Sequence, residues 1–118
     1  MHVRARELRS LAAALGVAAL AVAAGRAVAE SPPVIGLITK TDTNPFFVKM
    51  KEGAAEAAAA HGAKLLTGAG KADGDNAGQV TALENMVAAG ARAILITPSD
   101  SKAILPSIRK ARAKGVLV

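Results

Sequence analysis

The sequence predicts a doubly wound α/β layer, a parallel sheet with helices on both faces. Three observations predict it. The apolar runs Val34 to Thr39, Ala63 to Thr67 and Arg92 to Thr97 lack the alternation of a half-exposed sheet and read as strands covered on both sides. Longer segments of helical character separate them. Gly62, Gly90 and Gly115 each stand between such a segment and the next apolar run, where a helix commonly ends on a left-handed residue. Parallel strands joined this way need right-handed crossovers, which excludes a bundle or a sandwich.

Each element has its own justification. Glu30-Ser31-Pro32-Pro33 is a short extended leader to the first strand. Asn44 then offers an N-cap and Pro45 the first helical position. The first helix runs to His61, with Met50, Ala54, Ala57, Ala58 and His61 on one face and Lys49, Glu52 and Glu56 toward another. The second strand gives way to the loop Gly68-Ala69-Gly70-Lys71-Ala72-Asp73-Gly74. Asp75 caps the second helix, whose inner stripe is Val80, Leu83 and Val87. The third strand holds Ile94-Leu95-Ile96. Pro98-Ser99-Asp100-Ser101 opens the third helix, with Ile104, Leu105, Ile108 and Ala111 inward and Arg109, Lys110, Arg112 and Lys114 suiting its C-terminal dipole. Pro106 predicts a kink or a late helix start. Lys114 to Val118 reads as a fourth strand just beginning, so a chain truncated inside that strand is expected.

The first thirty residues read as an address. Arg4, Arg6 and Arg9 make a positive start, Leu11 to Gly25 is uncharged and apolar, and Ala27-Val28-Ala29 is a small-x-small cleavage signature. The apolar run is short for a bilayer span, which needs about 20 residues, so a membrane anchor is the weaker alternative. Residues 1–29 are expected to be a helical signal peptide of Sec type, and residues 30–118 a soluble exported segment in a bacterial periplasm. With no cysteine, neither a disulfide nor a lipidated cysteine is possible. Of 15 basic and 9 acidic residues, the first 29 hold Arg4, Arg6, Arg9, Arg26 and Glu7, leaving 11 against 8, a net +3. That charge is ordinary for a soluble domain. Aromatics interleaved with Lys or Arg are absent, so nucleic acid is not expected as a partner.

All aromatic surface, Phe46 and Phe47, lies where the first strand hands over to the first helix. Open α/β sheets bind ligands beyond the carboxyl ends of their strands. Adjacent helical residues point about 100° apart, so at least one ring should lean toward that crevice; the alternative is that both fill the core. Lys40, Asn44 and Asp100 can supply donors and acceptors for a polyhydroxylated molecule. Equally, Asn44 and Asp100 can serve as helix caps and Lys40 as a solvated charge. Other motifs fail. Gly68-Ala69-Gly70-Lys71 lacks the remaining residues of a phosphate loop or a dinucleotide fingerprint. Asp73, Asp75, Gly78 and Glu84 approach calcium-loop spacing, but Ala77 breaks it and capping by Asp75 is the better account. His61 and the serines lack the partners nucleophilic catalysis needs. No enzyme, cofactor or metal is expected.

The segment Ile35-Gly36-Leu37-Ile38-Thr39-Lys40, followed by Asn44-Pro45-Phe46-Phe47-Val48-Lys49-Met50-Lys51-Glu52-Gly53, resembles the start of mature ribose-type periplasmic binding proteins, the sugar receptors of bacterial ABC transporters. Asp73-Gly74-Asp75-Asn76, Gln79 and Gly90 to Ile96 continue the likeness, which covers residues 34–118. Lys40 and the Asp73 to Asn76 loop are most similar to the hexose-binding branch, fructose in particular. The resemblance implies a type I lobe, the partial N-terminal lobe of a monomeric receptor. It implies capture of a monosaccharide between two lobes, delivery to a membrane permease, and closure about a hinge. By it, Asn44 and Lys40 would bond sugar hydroxyls and Phe46 or Phe47 would stack on the ring. It also implies that an aspartate after the fourth strand, the hinge and the second lobe lie outside this sequence, so the chain alone would bind sugar weakly or not at all. A regulator core of lac-repressor type, which shares the fold, and a non-functional fragment are the alternatives.

Overall fold

The central strand is the most buried of the three, as its place between two neighbours requires. In the computed structural model, which describes residues 30–118, Val34–Thr39 forms β1, with Leu37, Ile38 and Thr39 almost completely enclosed. The remaining elements follow in order: α1 (Pro45–Ala60), β2 (Lys64–Ala69), α2 (Asn76–Ala88), β3 (Ala93–Ile96) and α3 (Leu105–Ala113). The expected signal peptide lies outside the described residues.

The strands pair in parallel in the order β2-β1-β3. Gly36 of β1 faces Leu66 on one side and Ile94 on the other. Beyond β3, Leu117 bridges to Ala93, its N–H donating to the Arg92 carbonyl at 3.0 Å while its carbonyl accepts from Ile94 N at 2.8 Å. This isolated parallel bridge lies where the sequence suggested a fourth strand. The chain runs outward from β1 to β2 and then back past β1 to β3. Right-handed crossovers in opposite directions place α1 on one face and α2 with α3 on the other. The reversal makes a topological switch point between β1 and β3.

The larger core lies on the α2 and α3 face. Ile38, Ile94, Leu83, Met86, Ala111 and Val116 form its buried cluster. Leu37 points to the other face because strand side chains alternate. There α1 contributes Phe47, its one buried residue.

Several expectations need correction in detail. Within α1, Ala57 and His61 are exposed; the inward face is buried Phe47 with half-buried Met50, Ala54 and Ala58, because the stripe starts from the phenyl ring. Strand β2 begins one residue later and keeps Gly68 and Ala69, paired to Ile38 and Thr39, where the sequence suggested a loop. Strand β3 is shorter at both ends. The fully buried stripe of α2 is Gln79, Leu83 and Met86; of the expected stripe Leu83 holds, while Val80 and Val87 are half-buried, Val87 still packing on the core, because a polar residue finds its partners inside. The helix α3 starts late, with Pro106 in its first turn. Leu105 is 43% exposed, about 100° off the inner line of Ile104, Ile108 and Ala111.

Close packing of α2 on β1 depends on a missing side chain. A Cβ on Gly36 would collide with the Met86 sulfur and lie 3.2 Å from Ile94 Cγ1. Gly36→Val should therefore destabilise the fold by about 1–3 kcal/mol. Gly53 lies inside α1 with nothing near its Cβ position, so Gly53→Ala should stabilise by about 0.8–1.0 kcal/mol. Urea denaturation of both variants checks the pair.

Candidate functional site

A parallel sheet leaves the carbonyls and loops at its strand ends to be organised by something else, and here one side chain does it. Gln79, in the first turns of α2, is fully buried. Its Nε2 donates to the carbonyl of Thr39, the last residue of β1, at 3.1 Å, and to that of Thr97, just past β3, at 2.8 Å. Its Oε1 accepts from Ser99 N at 2.8 Å. Both donors and the acceptor of the carboxamide are thus used. The two loops that leave the switch point are fixed against each other and against α2.

From this anchor the first loop is laced residue by residue. Thr39 Oγ1 donates to the Thr41 carbonyl at 2.8 Å, and Thr41 Oγ1 accepts from Asn44 N at 3.3 Å. Asn44 caps α1, its Oδ1 accepting from Phe46 N at 2.9 Å. The cap fixes the azimuth of the next turn. Phe47 goes into the core at 8% exposure, while Phe46 stands 65% exposed, the rings meeting edge to face at 5.3 Å and 78°. One ring is therefore structural and one is presented to solvent at the strand ends.

Lys40 follows β1 directly and is half-buried, its Nζ 3.5 Å from Asp73 Oδ1. Asp100 is exposed in the loop after β3, its Oδ1 accepting from Lys102 N at 2.9 Å and Ala103 N at 2.8 Å. The Ala103 and Lys102 amides hold its carboxyl below the ordinary value. Asp100 thus closes a turn ahead of α3 rather than capping the helix itself. Lys40, Asn44, Phe46 and Phe47 come from one junction, and Asp100 from the neighbouring strand's loop, joined through Gln79.

The loop after β2 completes the rim. Asp75 accepts from Lys71 N on Oδ2 and Gly78 N on Oδ1, each at 2.9 Å. Those amides, Lys71 first, hold its carboxyl below the ordinary value. Gly70 is required by contact, since a Cβ there would lie 2.8 Å from the Lys40 carbonyl oxygen and 3.0 Å from that of Asp75. The Gly-rich run is thus the end of β2 followed by a packed turn, not an anion cradle, and Asp75 is a cap. Among the described residues no group of three or more His, Cys, Asp or Glu side chains is placed to hold a metal. Of the grooves beside α2, the one of about 500 Å³ lies against α3 and the other against β2, and neither is lined by Lys40, Asn44, Phe46, Phe47 or Asp100. Sequence reasoning missed the structural roles of Gln79 and Asp73. A polar residue on the line of Leu83 and Met86 was the available signal for Gln79; nothing marked Asp73 as a partner of Lys40.

Residues 35–118 match the periplasmic binding protein domain family. The D-ribose/D-allose-binding protein of Pseudomonas aeruginosa is 35% identical over 94 residues, covering 76% of this chain and 30% of that protein. The ribose import binding protein RbsB of Bacillus subtilis is 38% identical over 84 residues, 71% of this chain and 27% of the relative. Among solved structures, a periplasmic solute binding protein of an ABC transporter from Actinobacillus succinogenes, with bound D-allose, superposes with a TM-score of 0.68 at 34% identity. That match covers 72% of this chain and 30% of the other. The chain therefore spans under a third of the length of the curated relatives it matches.

Two outcomes follow from the hydrogen-bond geometry. Gln79→Leu leaves the Ser99 amide and the Thr97 carbonyl without partners and the Thr39 carbonyl with only the Gly70 amide at 3.4 Å, and should cost at least about 1–3 kcal/mol, with amide exchange accelerating at Ser99. Because the folded pKa of Asp75 is depressed, its contribution is present above the ordinary value of 3.8 and lost as pH falls through the lower folded value. The urea midpoint of the unmodified chain should therefore fall more steeply below that pH than the midpoint of Asp75→Asn.

Proposed function

The chain belongs to the periplasmic binding protein domain family, and from that premise we propose that it supplies one wall of a monosaccharide site in the solute receptor of an ABC transporter. The observation that carries this reading is the exposed Phe46 ring beside Asn44 at the switch point of the sheet. A phenyl face suits the C–H side of a sugar ring, and the strand-end loops supply hydrogen-bonding groups for its hydroxyls. In this reading Phe46 stacks on the sugar while Phe47 backs it from the core. Asn44 offers its Nδ2, Lys40 its ammonium, and Asp100 the oxygen not engaged by its own turn.

The ligand proposed is a pentose or hexose. Ribose and allose come from the names of the relatives, and fructose from the likeness at Lys40 and at Asp73 to Asn76. A second lobe would close over the sugar and present it to a membrane permease. Residues 1–29 would direct export to the periplasm, leaving residues 30–118 as part of the first lobe of a monomeric receptor. The role is binding, not catalysis; the relatives named are solute-binding proteins. A regulator of transcription is not favoured, since those relatives are import and solute receptors.

Titration of the isotope-labelled chain with D-ribose, D-allose and D-fructose, followed by amide chemical shifts, tests the site. One wall alone should bind weakly, with shifts confined to Lys40 to Phe47 and Thr97 to Lys102. Phe46→Ala should reduce the affinity by about 0.5–1.5 kcal/mol. Absence of any shift at saturating sugar, or shifts clustered between α2 and α3, would overturn the reading.

A further inference from the structure

Lys40 is a cation of the proposed sugar wall, and it is paired. Its ammonium lies 3.5 Å from Asp73 Oδ1. Only one other ion pair occurs among the described residues, Lys49 with Glu52 one turn apart on the exposed face of α1. The Lys40 pair differs in kind, because it joins the end of β1 to the loop after β2. That loop is held from several sides. Gly70 packs on the Lys40 carbonyl, the Asp75 carboxylate holds the amides of Lys71 and Gly78, and Asp75 N and Asn76 N close back on Ala72 and Gly74 carbonyls. Gly74 takes a φ of +90°, which turns the chain immediately after Asp73. Asp73 is therefore presented to Lys40 by its backbone, while Lys40 is itself half-buried.

We infer that Asp73 is a positioning and specificity-determining residue: it is the internal counter-ion of Lys40 and biases the site toward neutral sugars over anionic ones. An unpaired ammonium at a sugar wall attracts carboxylate or phosphate groups more strongly than hydroxyls, because charge-assisted bonds to an anion are the stronger kind. With Asp73 beside it, an anionic ligand must compete with a tethered carboxylate and meets its repulsion. A neutral hydroxyl accepts a hydrogen bond from Lys40 without displacing Asp73. The carboxylate also keeps the long lysine side chain from sampling solvent, so less rotamer freedom is lost on binding.

This inference rests on the sugar reading above, and the experiment separates the two. The probes are D-ribose and D-ribose 5-phosphate, titrated into the labelled chain and its Asp73→Asn, Asp73→Glu and Lys40→Met variants. Asp73→Asn should raise the affinity for D-ribose 5-phosphate relative to D-ribose by about two- to fivefold, the span of a partly exposed ion pair. The gain should vanish in high salt and be absent from Lys40→Met, and Asp73→Glu should restore the original ratio. In the sugar-free chain, the Lys40 Cε–Hε signals should shift on Asp73→Asn. An unchanged ratio in a chain that does bind D-ribose overturns the specificity role alone. Unmoved Lys40 signals overturn the positioning role. No response of the unmodified chain to either sugar overturns the sugar reading and the specificity role with it.

Discussion

The Gln79 carboxamide is the interaction on which the strand-end architecture depends. Parallel strands β1 and β3 satisfy each other's backbone along their length, but at the switch point their chains part. The Thr97 carbonyl would otherwise be left there without a partner, and that of Thr39 with only a long 3.4 Å bond from Gly70 N. A buried carbonyl without a donor costs about 1–3 kcal/mol. One glutamine supplies both donors and, through its oxygen, also takes the Ser99 amide. It does so from α2, the helix that crosses over β1. Crossover, sheet and both loops are thereby locked in a single hydrogen-bonded unit, and every proposed ligand group departs from a backbone position that this unit fixes.

The fold was legible in the sequence because its signals are local and agree with one another. Apolar runs without alternation gave the strands, Asn44 and Asp75 gave the caps, and Gly62, Gly90 and Gly115 gave the stops, each found at positive φ. Element order and sheet type followed. The rotation of α2 did not, because hydropathy places Gln79 on the outside and only its three tertiary partners bring it in. The extra length of β2 was hidden for a related reason. Gly68 and Ala69 look like loop residues, yet Gly68 is where α2 comes close enough for a Cβ to lie 2.8 Å from that of Ala82. The site was legible as a place, the junction after β1, but its electrostatics were not. The Lys40 and Asp73 pair spans two loops, and neither residue type nor spacing identifies a partner across a sheet.

The sequence left open whether Asn44 and Asp100 are helix caps or ligand groups, and the geometry makes that choice unnecessary. Each satisfies backbone N–H groups through one oxygen only, Oδ1. The Asn44 carboxamide retains its Nδ2 donor after capping α1, and the Asp100 carboxylate retains its second oxygen after closing its turn. Holding the backbone therefore orients the spare group in each, since the side chain is already fixed. The same logic covers the aromatic pair. The Asn44 cap sets the first turn of α1, Phe47 is taken by the core, and the angle of about 100° between neighbours then turns Phe46 outward. Its exposure is a consequence of the cap and the core together, so local stability and the proposed sugar wall are specified by the same few residues.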